Sequence, residues 1–278
     1  TSELFEQLRN PDLKGVFSIS RIDEFLNNIS CHKLSAPTSD KIDVILKLRD
    51  IYSGSPNIGF SIKSELGSPP TLLNASKATN FIYKIEHSCP TLLHETNQIV
   101  TVVRDKPHTD VKGRINHIMR RNGRLKYFAT NNQGFSDNLV LIDSEMGKII
   151  SETLLYFYRD GIINCEDMVK RLEKENPMHY GNVNAYKYKF KKFLTAVALG
   201  MRPSVNWDGI EEASGGYIIV TKGGDVLAYH ARNRNFLEEY LLNHTKYETA
   251  STSRHAFGEV YTDGKSDYIN LNLQIRFK

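Results

Sequence analysis

"DVILKLRDIYSGSPNIGFSIKS" (residues 43–64) reads as two strands joined by a Gly/Ser/Pro/Asn turn, a β-hairpin with a longer loop. Folding the chain about the turn at Ser53 sets Asp43, at the start of the first strand, opposite Lys63, near the end of the second. Ser61 lies two residues before Lys63 and shares its face, because successive side chains of a strand alternate. A carboxylate, a hydroxyl and an ammonium therefore converge at one end of the hairpin. That set suits phosphodiester hydrolysis. Magnesium is a hard cation that takes one or two carboxylates and keeps several waters. It polarises a phosphate and lowers the pKa of an attacking water, while a lysine positions that water or offsets developing charge. Asp43 and Ser61 are the candidate metal ligands, and Asp43, Ser61 and Lys63 the candidate catalytic groups. The same spacing also fits a surface hairpin whose Asp caps a turn and whose Lys is solvated.

On either side of the hairpin the chain alternates helical and strand patterns. A short helix is predicted from Ser20, and "TNFIYKIEH" (79–87) is a third strand. "DVKGRINHIMRRNGRLKYFA" (110–129) is basic and helical up to Gly123. Helices follow in "SEMGKIISETLLYFYRDG" (144–161), "NCEDMVKRLEKENP" (164–177) and "NAYKYKFKKFLTAVALGM" (184–201). The last third holds a hairpin around Gly223-Gly224, a helix in "NFLEEYLLNHT" (235–245) and one closing strand, "YINLNLQIRF" (268–277). This mixture predicts an α+β (α/β-like) fold, a mixed β-sheet core flanked by helices.

Composition narrows the class. Apolar residues are 40 % of 278, with 14 Tyr and 13 Phe, so the chain is globular and not disordered. A formal charge of +4 does not by itself imply a polyanionic partner. No run approaches the roughly 18 apolar residues of a membrane-spanning helix, and "TSELFEQLRNPDLKG" lacks the features of a secretory signal. Cys31, Cys89 and Cys165 offer neither a disulfide framework nor a metal-ligand spacing, and read as free thiols of a reducing cytoplasm.

The Asp of one strand and the "SIK" of the next are similar to the PD-(D/E)xK nuclease signature. The wording "SDKIDVILKLRD" and "GFSIKSELGSPPTLLNASKATNFIYKI" resembles the HpaII family of type II restriction endonucleases. So do "YKYKFKKFLTAVALGMRPSVNWDG", "ASGGYIIV", "YETASTSRHAFGEVY" and "LNLQIRF", blocks in order along most of the chain. The resemblance implies a PD-(D/E)xK-like fold and Mg²⁺-dependent cutting of double-stranded DNA at a short palindrome of the CCGG type. It implies a cytoplasmic enzyme of a bacterium or archaeon, with a cognate methyltransferase acting on the same site. A palindrome matches a two-fold homodimer. Residues 1–180 would form the nuclease core with the catalytic hairpin, and residues 181–278 a DNA-recognition region packed on that core. The sequence departs from the family pattern in two ways. Ser61 stands where an acid precedes the x-Lys. The family also implies a helix-borne glutamate ahead of everything in this sequence, for which Glu65 is either a substitute or only a solvated strand-end charge. A catalytically impaired DNA-binding protein, or a nuclease with another DNA target, is the alternative.

Given that resemblance, the polar run "GSPPTLLNASKATNF" (67–81) would lie beside the scissile phosphate, with Asn74, Ser76, Lys77 and Asn80 as DNA contacts. An Asx/Ser-rich turn that satisfies its own backbone is the other reading. Lys187 and Lys191, on one flank of "YKYKFKKF", are phosphate candidates or lysines lying over Tyr and Phe. In "STSRHAFG" (251–258), Arg254 suits guanine. His255 is a general base or a hydrogen-bonding residue. Gln274 and Arg276 share the polar face of the last strand, which is either solvated or borders DNA.

Overall fold

The computed structural model describes residues 20–28, 42–47, 57–87, 91–221, 223–230 and 233–278. The hairpin turn expected at 48–56, and Cys31 and Cys89, lie outside them. The first strands are β1 (Val44–Lys47), β2 (Asn57–Ser64), β3 (Thr71–Leu73), β4 (Asn80–Glu86), β5 (Val100–Val103) and β6 (Lys106–Thr109). Next come β7 (Arg124–Thr130), β8 (Gly216–Val220), β9 (Val226–His230) and β10 (Thr245–Tyr247). The chain closes with β11 (Val260–Asp263), β12 (Ser266–Asn272) and β13 (Ile275–Phe277). Helices alternate with these strands and the sheets mix parallel and antiparallel pairs, so the fold is α+β. Among the described residues no helix is long and apolar enough to cross a membrane.

Two compact units partition the chain: 1–70 with 212–237, and 71–211 with 238–278. Residues on either side of 180 belong to the same unit. The first unit is a sheet in the order β1-β2-β8-β9. Its outer pairs are antiparallel and its central pair, β2 with β8, is parallel. Phe60, Ser61, Tyr217 and Ile219 of the central strands are buried. Their approach depends on glycine. A β-carbon at Gly215 would fall 2.5 Å from Ile58 Cγ2 and from the Phe60 ring, and the Gly215 N–H donates to the Gly59 carbonyl at 2.7 Å. "ASGGYIIV" is accordingly a turn into a strand, and β8 and β9 form the hairpin expected around Gly223-Gly224.

In the second unit an antiparallel sheet runs β11-β12-β4-β7, a smaller one runs β10-β13-β3, and β5 pairs with β6 alone. Alternation sends Phe81, Tyr83 and Ile85 of β4 inward, where they are buried with Ile269 and Leu271 of β12. Tyr83 donates its hydroxyl to the Ser151 carbonyl at 2.7 Å, and so ties the sheet to the helix Met146–Leu155. The helix Val111–Arg120 starts where an Asp110 carboxylate oxygen accepts from the Gly113 N–H at 2.8 Å, which satisfies one of the unpaired donors of a first turn.

Two expectations change in detail. The helix expected over 144–161 is α-helical over Met146–Leu155, then widens into a π turn, Tyr156–Asp160, and stops at Gly161 with φ +76°. The single closing strand is two strands, because Ser266–Asn272 pairs with β4 whereas Ile275–Phe277 pairs with β10 and β3. Cys165 is fully buried, and burial pushes its thiol up to about 12, so it is an inert core residue.

Candidate active site

The hairpin register places the candidate catalytic groups differently from a count about Ser53. Val44 pairs with Phe60 and Lys47 with Asn57, and the Asp43 N–H donates to the Phe60 carbonyl at 2.9 Å. Asp43 therefore stands beside Ser61, two residues short of Lys63. Its Oδ2 accepts from the Ser61 hydroxyl at 3.1 Å and from the Ile62 N–H at 2.6 Å. These bonds aim the carboxylate, and among the described residues nothing bonds its Oδ1. The register is thus offset by two residues from the one that folding about Ser53 would give.

Lys63 points to the same side. Burial lowers its pKa, and the Asp43 charge partly raises it again, so the two groups sense each other electrostatically. Its Nζ lies 5.8 Å from the centroid of the Tyr217 ring. Tyr217, fully buried on β8 opposite Ser61, also hydrogen-bonds the Ser61 side chain; burial raises its phenol pKa above 10. The sequence reading missed Tyr217. Only the register of a parallel pair between distant segments brings it here, and its sole local signal was a strand-forming "YIIV" after two glycines.

No three or more His, Cys, Asp or Glu side chains gather as a metal cluster among the described residues. Asp43 with Ser61 is nevertheless a fit for magnesium, which takes as few as one carboxylate and completes its shell with water and phosphate oxygens. Glu65 is half-buried just past β2, and its N–H donates to the Val220 carbonyl at 2.8 Å.

The polar run is held by a network of asparagines in the second unit. The Asn272 amide donates to the Ser76 carbonyl (2.8 Å), Thr79 Oγ1 (3.1 Å) and Asn80 Oδ1 (2.6 Å). Asn80 in turn donates to the carbonyls of His255 (2.8 Å) and Ala256 (3.2 Å). Asn80 is thus a correction: it is 1 % exposed and its amide is consumed inside the protein, so it does not reach DNA. It lies on the outward parity of β4, but the turn carrying Arg254 roofs it over. Ser76 is half-buried, with its carbonyl held by Asn272. Asn74 and Lys77 are exposed, and Arg254 is exposed on the short helix Thr252–His255. His255 is half-buried; burial first, then the Arg254 charge, lowers its pKa, which favours the neutral ring.

The lysine flank also differs from expectation. Lys191 is 13 % exposed and pairs with Glu239 (3.1 Å) and with the buried Glu238 (3.6 Å), so it is a structural cation and not a free phosphate ligand. Lys187 is more exposed and shares Glu239 at 3.0 Å. Burial works against the Glu239 anion, yet hydrogen bonds from Lys187 and Lys191 hold its carboxyl below the usual range. Arg276 pairs with Glu248 at 2.7 Å, which ties one end of the last strand's polar face within the protein.

A carboxylate, a hydroxyl and a lysine thus stand around one end of the β1–β2 hairpin in the first unit, and the second unit by itself carries exposed Asn74, Lys77 and Arg254. The family model for the HpaII restriction endonuclease matches residues 1–277. The chain is also 39 % identical over 278 residues to the type II restriction enzyme HpaII of Haemophilus parainfluenzae, covering 99 % of this chain and 75 % of that protein. The chain belongs to the HpaII restriction endonuclease family. Membership implies a site-specific nuclease, a hydrolase that binds double-stranded DNA. No solved structure matches it.

Proposed function

We propose that the chain is a Mg²⁺-dependent type II restriction endonuclease that hydrolyses double-stranded DNA at a short palindrome of the CCGG type. The observation that carries this reading is the Oδ2 of Asp43, fixed by Ser61 and the Ile62 N–H on the strand that also bears Lys63. The reading extends to a PD-(D/E)xK-like core. The CCGG-type target rests on the family resemblance alone, as do a homodimer, a methyltransferase protecting the same site and a bacterial or archaeal cytoplasm.

Asp43, assisted by Ser61, would hold magnesium, which supplies a Lewis acid for the phosphate and an acidified water. The protein's own groups do the rest. Ser61 and the Ile62 amide keep the Asp43 carboxylate from rotating, and Tyr217 keeps Ser61 in place. Lys63 presents an ammonium to the attacking water and to charge that develops on the phosphate; partial burial strengthens that interaction. Arg254 is the candidate for reading guanine, with Asn74, Ser76, Lys77 and Lys187 at the backbone and His255 as a neutral hydrogen-bonding group.

Plasmid cleavage with Mg²⁺ and with chelator, followed by mapping of the ends, tests the proposal. Cutting that persists in chelator removes the metal requirement, and ends away from CCGG remove the target. Ser61, a neutral group where an acid would be stronger, favours a second reading: a sequence-specific DNA-binding protein with impaired catalysis. Retained binding without cleavage would establish it.

Ser61→Asp is expected to place a second carboxylate beside Asp43 and to lower the Mg²⁺ concentration for half-maximal cleavage roughly tenfold, since ligand charge tunes affinity. Maximal rate should fall as the added charge repels phosphate. An unchanged Mg²⁺ titration would put Ser61 outside the metal shell.

A further inference from the structure

The hairpin β5–β6 stands away from the core of the second unit: every residue of β5 and all of β6 except Thr109 is exposed. A lone two-stranded hairpin is marginal in water and gains order from what it packs against. Its turn is Arg104-Asp105, with φ of +49° and +60°. Both central residues are left-handed, as a type I′ turn requires, and that turn favours Asn-Gly because side chains with a β-carbon rarely adopt the conformation. An arginine held at such a tip against local preference points to a use for its side chain. Cross-strand pairing puts Lys106 and His108 on one face, and Val100, Val102 and Pro107 on the other. Three basic side chains thus accompany one acid, Asp105.

The base of the ribbon is firmly held. Arg114, 3 % exposed, donates to the carbonyls of Ile99 (3.0 Å), Asn97 (2.8 Å) and Gly258 (2.8 Å). Gly258 ends the turn that carries Arg254, and Asn80 grips the carbonyls of His255 and Ala256 in the same turn. The ribbon, the Arg254 turn and the polar run with Lys77 therefore share one hydrogen-bonded frame.

We propose that this ribbon enters the major groove of duplex DNA, with Arg104 at the base edges and Lys106 and His108 toward flanking phosphates. The proposal rests on the reading of the chain as a DNA-cleaving enzyme. Charge favours DNA over a second copy of the chain as the occupant. So does Pro107. Antiparallel pairs alternate between bonded and non-bonded, and Val103↔Lys106 closes the turn, so the missing N–H of Pro107 falls on the outer edge and discourages strand addition. The size agrees: a major groove about 12 Å wide and 8.5 Å deep admits a two-stranded ribbon, and four residues of strand reach about 13 Å.

Arg104→Gly and Lys106→Ser in the full chain test the proposal by binding to a CCGG duplex and a scrambled one, without divalent metal, over a salt series. Thermal unfolding and sedimentation accompany each variant. Glycine suits the turn, so Arg104→Gly is expected to keep or raise the melting temperature while it weakens the CCGG duplex about ten- to a hundredfold, the range of one good base contact. Lys106→Ser is expected to lower the salt slope by about 0.9 on both duplexes. It decides the matter if Arg104→Gly fails to fold, since an exposed side chain is removed from an unaltered backbone. Wild-type protein that binds neither duplex overturns the DNA-cutting reading itself. Wild-type binding matched by both variants overturns the ribbon alone. A change of oligomeric state at unchanged duplex affinity assigns the surface to a second copy, and overturns it as well.

Discussion

Asp43→Ala and Lys63→Ala are each expected to lower single-turnover cleavage by at least a hundredfold, while DNA binding survives. Removing one preorganised charge from a reacting centre costs on the order of 10²–10³ in rate. Asp43 also supplies the anionic oxygen to which the Ser61 hydroxyl and Ile62 N–H donate, so its loss leaves both donors without that acceptor. Binding should hold in Asp43→Ala or tighten, because a carboxylate facing a phosphate repels it. Lys63→Ala removes an attractive charge, but one of several toward the backbone. In the wild type, burial sets the Lys63 pKa below 10.5. Its cationic form is complete at low pH and disappears as pH rises through that lowered value, so the alkaline limb of cleavage should fall earlier than for a free lysine. Near wild-type nicking of a plasmid by either variant would move the active site away from this hairpin.

Arg114→Leu is expected to destabilise the second unit by about 3 kcal/mol or more, a fall in melting temperature on the order of 10 °C. Its guanidinium reaches three backbone carbonyls and the Asn97 side-chain oxygen (3.3 Å) from a buried position; leucine removes the donor from all four, and among the described residues only the Asn97 oxygen keeps a second one, the Val260 N–H at 2.9 Å. Burial lowers its pKa while Glu259 and Asp110 raise it, and a guanidinium stays a cation at neutral pH. Arg114→Lys should recover only part of the loss, since a point ammonium cannot fork among acceptors in different directions. Melting curves of the three proteins check this. A leucine variant that melts with the wild type would mean that the clamp contributes little, and that the ribbon and the Arg254 turn are held by other contacts.

What the sequence by itself determined is what local pattern encodes. Two strand-like runs, "DVILKLRD" and "GFSIKS", joined by a Gly/Ser/Pro/Asn stretch marked the hairpin, and the alternation of side chains along a strand put Ser61 and Lys63 on one face. Three-to-four spacing marked the helices, and the order of the blocks marked the family. Polar residues behaved less simply. Asn80 carries the same donors whether it faces DNA or a neighbouring turn, and only the arrival of His255 and Ala256 decides for the interior. Lys191 has the same charge beside a phosphate as beside Glu238 and Glu239. The tertiary structure alone decided the hairpin register that seats Asp43 beside Ser61, the parallel pairing that brings Tyr217 to both Ser61 and Lys63, and the anchoring of the β5–β6 ribbon by Arg114. The physical reason is range: backbone periodicity and turn chemistry act over a few residues, whereas a buried hydrogen bond or ion pair is chosen by whichever partner the closed fold delivers.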